Sequence, residues 1–135
     1  MDFFIFISEQ YILVGVLLAL IYTFVWNEKR RGGKTVSTHE LTRMMNNDEA
    51  ILVDVRDPSD YKTGHIVNAL NIPFNKINDR WQELEPHKAK TIILVDKMGQ
   101  HTGGVGNTLR GKDFQVNRLS GGMSEWEAQN LPVVK

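Results

Sequence analysis

Residues 11–26, YILVGVLLALIYTFVW, contain no charged side chain, and no other feature restricts the possible fold of this chain as strongly. As an α-helix these sixteen residues span roughly 24 Å, slightly less than a bilayer hydrocarbon core of about 30 Å. Tyr11 and Trp26 are residue types that favour the membrane–water interface, and burial of the preceding FFIFI (3–7) would supply the missing length. We therefore predict one transmembrane helix, which contacts the lipid bilayer through residues 11–26.

Two other interpretations are compatible with an apolar run of this length. The first is a buried core helix, but the rest of the chain offers no obvious enclosure for a helix that is apolar on all sides. The second is a cleaved signal peptide. Against it, the N-terminus carries Asp2 and Glu9 instead of Lys or Arg, and no small-x-small cleavage pattern follows. The retained anchor is the favoured interpretation.

Basic residues lie on only one side of the apolar run. Lys29, Arg30, Arg31 and Lys34 follow it, and no Lys or Arg precedes it. The positive-inside rule then predicts a single-pass protein with its N-terminus outside and its following domain in the cytoplasm. We expect residues 1–34 to form the anchor and a short flexible basic tether, RRGGK, and residues 35–135 to form a separate domain.

The composition of residues 35–135 excludes several classes of function. Twelve Lys and Arg stand against thirteen Asp and Glu, so the domain has no electrostatic footprint for nucleic acid. The chain contains no cysteine, which excludes disulfides, thiolate metal sites and thiol chemistry by the chain itself. We also predict no metal and no cofactor, since no second His or Cys stands at metal-binding spacing.

Apolar runs alternate with helical patterns from residue 35 onward. Three compact runs, AILVDVR, TIILV and FQVNRL, predict buried strands at 50–56, 91–95 and 114–119. Helices are predicted after a capping box of Ser37 and Glu40, and at 76–84, 102–112 and 123–130, with a loop at 57–75. This alternation predicts a parallel, doubly wound α/β sheet. Asp54 and Asp96 then lie at the carboxyl ends of strands, where the sites of such sheets are found.

Two long motifs carry a family resemblance. VDVRDPSDYKTGHIVNALNIP (53–73) and DFQVNRLSGGMSEWEAQNLP (113–132) resemble the early and closing signatures of the rhodanese-like domain family, which transfers sulfur through a persulfide. With the N-terminal anchor, the chain is similar to a single-domain, membrane-anchored bacterial type. The resemblance implies a parallel sheet with helices on both faces, and a location in the bacterial inner membrane.

The resemblance also implies a candidate site in DKMGQH (96–101). In the family, a cysteine directly after the strand holds the persulfide, and successive loop amides surround that anion. Here Asp96 occupies the nucleophile position, and His101 stands where an arginine is common. The other members of the predicted anion-binding loop are Lys97, Met98, Gly99 and Gln100, with Asp54 and Arg56 as supporting residues.

A carboxylate cannot hold a sulfane sulfur as a persulfide, so the resemblance implies a vestigial site without catalytic residues. We expect Asp96 to accept the hydrogen bonds of the loop amides and so to fill the site with a built-in anion. Three other interpretations of the residues remain open: an Asp54–Asp96 pair that binds Mg²⁺ for phosphoryl transfer, His101 as a general base, and the loop glycines as a phosphate nest.

Two functions of different classes follow. The first is a non-catalytic, membrane-tethered module that binds a membrane protein or a membrane-associated protein at the cytoplasmic face. The second is a sulfurtransferase-family enzyme, acting on thiosulfate or a persulfide, whose nucleophile has been replaced in this chain.

Overall fold

The computed structural model describes the backbone of residues 2–32 and 34–135, and in this part all side chains except those of residues 2, 7 and 28–32. The chain divides into two compact units, residues 1–30 and residues 31–135. In the predicted basic tether, Gly33 and the side chains of Arg30 and Arg31 lie outside the described residues.

The first unit is formed by helix α1, Asp2–Gly32. Its segment Phe3–Asn27 has a mean hydropathy of 2.2 and is 0% buried, so its length and composition would allow it to cross a membrane. The structure corrects two details of the prediction. The helix includes the polar residues 8–10, which are all compatible with helical backbone, and it continues through Gly32, where a flexible tether was predicted.

The second unit contains a five-stranded parallel sheet in the order β1-β5-β4-β2-β3. The three predicted strands are confirmed in shorter form as β2 (Ala50–Asp54), β4 (Thr91–Val95) and β5 (Val116–Leu119). The sequence missed both edge strands, β1 (Lys34–Val36) and β3 (Leu70–Asn71). They have three and two residues, too few to show a periodic pattern.

The helices of the domain cover both faces of this sheet, as predicted. They are α2 (Thr38–Asn46), α3 (Pro58–Thr63), α4 (Ile77–Arg80), α5 (Thr102–Arg110) and α6 (Gly122–Ala128). Alternate residues of β4 enter two separate apolar clusters. Ile93 and Val95 pack with Leu41 of α2 and Trp126 of α6, whereas Ile92 and Leu94 pack on the other face with residues of α4 and α5.

Two connections differ from the prediction. The predicted loop at 57–75 contains helix α3, which begins at Pro58 after Asp57, because proline is favoured at the first position of a helix. The predicted helix at 76–84 is only one turn of α-helix, α4, between two 3₁₀ segments, Phe74–Lys76 and Trp81–His87. Pro86 lies in the second of these and lacks the amide hydrogen that a continued α-helix would need.

The predicted capping box at α2 is half formed. The hydroxyl of Ser37 accepts a hydrogen bond from the Glu40 amide at 3.1 Å. The Glu40 carboxylate does not return to the Ser37 amide but accepts hydrogen bonds from Arg43, and this partner lowers the pKa of Glu40. The hydroxyl cap still satisfies one of the amide groups that a helix start leaves unpaired.

Candidate functional site

Asp96 is the first residue after β4, and its side chain is only 5% exposed. Its Oδ1 accepts a hydrogen bond from the Lys97 amide at 2.8 Å, and its Oδ2 accepts one from the His101 amide at 2.8 Å. The ring Nδ1 of His101 lies 2.9 Å from the same Oδ2. The carboxylate therefore connects the first and last residues of the loop 96–101, with the amide hydrogen bonds that we predicted for a built-in anion.

The loop is held from behind by the start of helix α6. The carbonyl oxygen of Asp96 accepts a hydrogen bond from the Met123 amide at 2.8 Å, and that of Lys97 accepts one from the Ser124 amide at 2.9 Å. Because carbonyl and amide point in opposite directions within a peptide unit, these contacts turn the Lys97 amide away from α6 and towards the Asp96 carboxylate.

Gly122 permits this close approach. It has φ +60°, and a Cβ atom there would lie 2.3 Å from the Asp96 carbonyl oxygen and 2.9 Å from that of Lys97. Any residue with a side chain would force α6 and the loop apart. Gly122 was not among the predicted site residues, and its only local signal was the GG pair at 121–122, which indicates a turn.

His101 is fixed on two sides. Its ring stacks on Phe74, with the centroids 3.7 Å apart and the planes at 9°. A carboxylate can only accept at the distance observed, so Nδ1 carries a hydrogen and donates it to Asp96. Phe74 is itself tied to the sheet, since its amide donates to the Val55 carbonyl at 3.0 Å. Phe74 was not among the predicted site residues, because it stood in a predicted loop.

The middle of the loop has unused hydrogen-bond donors. Within the part of the chain that the structure describes, the amides of Met98, Gly99 and Gln100 have no acceptor. Gly99 has φ +91°, which a residue with a side chain rarely adopts. Met98 exposes 63% of its surface, and Lys97 is also exposed. The loop therefore presents three amides and two long side chains beside a buried carboxylate.

The predicted supporting residues form a buried ion pair. Both carboxylate oxygens of Asp54 accept hydrogen bonds from the Arg56 guanidinium, the shortest at 2.6 Å, and Arg56 also donates to the Gly64 carbonyl at 2.8 Å. Burial opposes the charge of Arg56, but its hydrogen bonds to Asp54 and the charge of Asp54 outweigh burial and raise the pKa of Arg56. Because Arg56 engages both Asp54 oxygens, the structure does not support the Asp54–Asp96 magnesium pair.

The Asp54–Arg56 ion pair supports the loop 96–101 indirectly, through the sheet. In the sheet Asp54 lies opposite Val95, and the Val55 amide donates to the Val95 carbonyl at 2.9 Å, directly before Asp96.

A groove of about 370 Å³ opens beside His101. Its lining combines apolar with polar residues: Phe74, Ile77, Asn78, Gln100, His101, Gly104, Val105 and Thr108. The arrangement can hold an anion or bind a surface, but its central acidic group carries no transferable sulfur.

Comparison with known proteins identifies the fold. A profile of the rhodanese-like domain matches residues 37–129. This chain belongs to the rhodanese-like domain family. The resemblance drawn from the two motifs is thus confirmed, and it relates the domain to the sulfurtransferases.

Individual relatives agree with this identification. The rhodanese-like chain is 36% identical to Escherichia coli YibN over 124 residues, which cover 90% of this chain and 86% of YibN. A rhodanese-related protein from Thermoplasma volcanium has a TM-score of 0.68 at 23% identity, over 75% of this chain and 97% of that chain. Thiosulfate sulfurtransferase from Pseudomonas aeruginosa has a TM-score of 0.70 at 20% identity, over 79% of this chain and 21% of that chain. The last two similarities concern the fold alone.

Proposed function

We propose that this protein is a non-catalytic rhodanese-like module, tethered to the cytoplasmic face of the bacterial inner membrane, that binds a membrane protein or a membrane-associated protein. The observation that carries the proposal is the Asp96 carboxylate, which accepts hydrogen bonds from the Lys97 and His101 amides and from the His101 ring. The loop is therefore ordered without a substrate anion.

The chemistry of sulfur transfer argues for the same function. A sulfurtransferase of this family stores sulfur on a thiolate between two half-reactions, and the carboxylate of Asp96 has no equivalent intermediate. No cysteine elsewhere in the 135 residues could replace it. Retention of the buried Asp54–Arg56 pair and of the α6 support preserves the shape of the loop, and a preserved shape suits recognition of a partner.

The exposed part of the loop is the contact surface that we propose. Met98 supplies a flexible apolar side chain, and Lys97 a positive charge, at a position fixed by the rigid ends of the loop. Methionine is frequent at protein-binding surfaces because its side chain adapts to different partners. A membrane anchor through residues 11–26 would hold this surface near partners of the same bilayer.

Photo-crosslinking in native membranes tests the binding function. A photoreactive amino acid at Met98 of the full chain should form a discrete crosslinked adduct, which mass spectrometry would identify. The matched control carries the same amino acid at Ala89, which is exposed and lies two residues before the start of β4, at the opposite edge of the sheet. Adducts of equal yield at both positions, or none at Met98, would contradict the proposed surface.

The second candidate is a sulfurtransferase-family enzyme whose nucleophile is replaced in this chain. The free amides of Met98, Gly99 and Gln100 favour it, because a persulfide at position 96 would still find donors there. A thiosulfate-to-cyanide assay of the full chain and of Asp96→Cys separates the two candidates. The non-catalytic module requires an inactive wild type without protein-bound sulfane sulfur. Activity restored only in Asp96→Cys would support the second candidate, whereas transfer by the wild type would exclude the first.

A further inference from the structure

The groove of about 370 Å³ beside His101, the His101 groove, has a glycine in its wall. That residue, Gly104 of helix α5, is exposed, and a Cβ atom added to it would meet nothing within 4 Å. Its φ is not positive, so neither its backbone conformation nor a close contact inside the domain requires a glycine. Glycine is also a poorer helix former than alanine. The missing side chain therefore leaves the backbone of α5 open to a close approach from outside the domain.

The His101 groove offers free hydrogen-bond donors beside an apolar surface. Gln100 and Gly104 both line it, and their backbone amides have no acceptor within the described part of the chain. Phe74, Ile77 and Val105 contribute its apolar surface, and its lining contains no Asp or Glu. A ligand that carries a hydrogen-bond acceptor next to an apolar group therefore matches the groove.

The segments that form the groove carry more positive than negative charge at their surface. Their exposed charged side chains are Lys76, Asp79 and Lys97. Arg80 of α4 is paired with Glu83, and the buried Asp96 carboxylate already accepts hydrogen bonds from its own loop. Two exposed positive charges thus stand against one negative charge. Since complementary charge favours association, the groove suits an acidic ligand better than a basic one.

We infer that the His101 groove binds an extended segment of the partner protein that carries an Asp or Glu side chain beside an apolar one. The carboxylate accepts hydrogen bonds from the free amides of the groove, and such bonds are stronger when the acceptor is charged. The apolar side chain packs on Phe74 and Val105, while the main chain of the segment lies against α5 at Gly104. Such a site presupposes the proposed partner binding and adds the chemistry of the partner segment.

Two pools of short synthetic peptides test the chemistry of the ligand. Both pools are random in sequence around one fixed residue, which is Glu in the first pool and Gln in the second. The immobilised full chain in detergent should retain the Glu pool at least threefold more than the Gln pool. Sequencing of the retained Glu pool should show apolar residues enriched near the fixed position. Equal retention of the two pools would overturn the inference.

Two glycine variants test the place of binding. Gly104→Ala should reduce retention of the Glu pool at least fivefold, because its methyl group occupies the wall against which the peptide lies. Gly103→Ala is the matched control, since Gly103 is equally free of contacts within 4 Å but does not line the groove. Neither variant should lower the thermal unfolding midpoint, so a loss of binding by Gly104→Ala alone is not a loss of folding. Unchanged retention by Gly104→Ala, or equal losses in both variants, would refute the groove as the binding site.

Photo-crosslinking in native membranes distinguishes failure of the groove from failure of the proposed function. A photoreactive amino acid at Asn78, an exposed residue of the groove, should capture the same protein as one at Met98, and Gly104→Ala should reduce both yields. An adduct at Met98 that is insensitive to Gly104→Ala, without an adduct at Asn78, would refute the groove and leave the proposed function intact. Absence of adducts at both positions would refute both.

Discussion

The conformation of the loop 96–101 depends most on the Asp96 side chain. One carboxylate receives two amide hydrogen bonds and a histidine ring, and hydrogen bonds to charged groups contribute about 1.5–3 kcal/mol each. A carboxylate buried at this position without those partners would lower the free energy of unfolding. The charge of Asp96 is thus compatible with burial only because the loop surrounds it with donors.

Substitution of Asp96 measures this contribution. Asp96→Ala should lower the free energy of unfolding by about 3 kcal/mol, because the Lys97 and His101 amides lose their acceptor. Asp96→Asn keeps one acceptor oxygen and should cost about half as much. The measurement is denaturant unfolding of the full chain in detergent, with Asp79→Asn as a control at an exposed carboxylate. If neither Asp96 variant is destabilised, the built-in anion does not order the loop.

Gly122 gives a second prediction for a single residue. Gly122→Ala should destabilise the domain by about 3 kcal/mol, since a positive φ and a contact of 2.3 Å with the Asp96 carbonyl both oppose a side chain. Gly103→Ala is the matched control in helix α5, where a Cβ atom meets nothing within 4 Å. That control should stabilise the helix by about 0.5–1 kcal/mol. The proposed role of Gly122 fails if Gly122→Ala unfolds at the midpoint of the wild type.

At the level of elements, helix α6 packs against the core and also positions the loop 96–101. Its Trp126 and Met123 fill the core beside β4, and its first amides hold the carbonyls of Asp96 and Lys97. The packing of this helix therefore fixes the loop. The edge strand β1 likewise combines packing with positioning. Its Val36 side chain belongs to the core, and its Val36 carbonyl accepts a hydrogen bond from the Ser120 amide, just before α6.

Helix α2 allows a test of its N-terminal cap. Ser37→Ala removes the acceptor of the Glu40 amide and should lower the free energy of unfolding by about 1 kcal/mol. Ser124→Ala in α6 is the control, because Ser124 is exposed and its side chain makes no hydrogen bond in the described part of the chain. Denaturant midpoints that fall equally for the two variants would show that the Ser37 hydroxyl is not acting as a cap.

At the level of the whole molecule, one helix is long and apolar enough to cross a membrane, and the rhodanese-like domain follows it. The absence of cysteine makes the chain a ready background for labelling experiments, because every introduced thiol is unique. The proposed cytoplasmic location of the domain can therefore be tested with single cysteines.

Asp2→Cys and Ser120→Cys report on the two sides of the proposed anchor, since residue 2 precedes the apolar segment Phe3–Asn27. A membrane-impermeant maleimide should label Asp2→Cys in cells whose inner membrane is intact, and should label Ser120→Cys only after that membrane is permeabilised. Ser120 is exposed in the structure, so burial within the domain does not prevent its reaction. The reversed pattern would place the domain on the outside, and labelling of neither in intact cells would place both ends inside.

The local sequence pattern was sufficient to predict the helices and strands that bury side chains of their own. The strand TIILV and the helix after Ser37 were predicted correctly because each segment shows in its own residues which side faces the core. Local pattern also placed Asp96 at a strand end, and the family motifs supplied the loop. The local pattern did not predict β1 and β3, which form because longer neighbouring strands offer them hydrogen-bond partners.

The amino-acid order alone was sufficient to predict the apolar N-terminal helix, the parallel α/β architecture and the inability of this chain to hold a persulfide. Two distant residues that complete the site became apparent only in the folded chain: Gly122 behind the loop and Phe74 beneath His101. The physical reason is that periodicity reports the environment of one segment. Contacts between segments depend on the order in which the strands assemble, and no local pattern records that order.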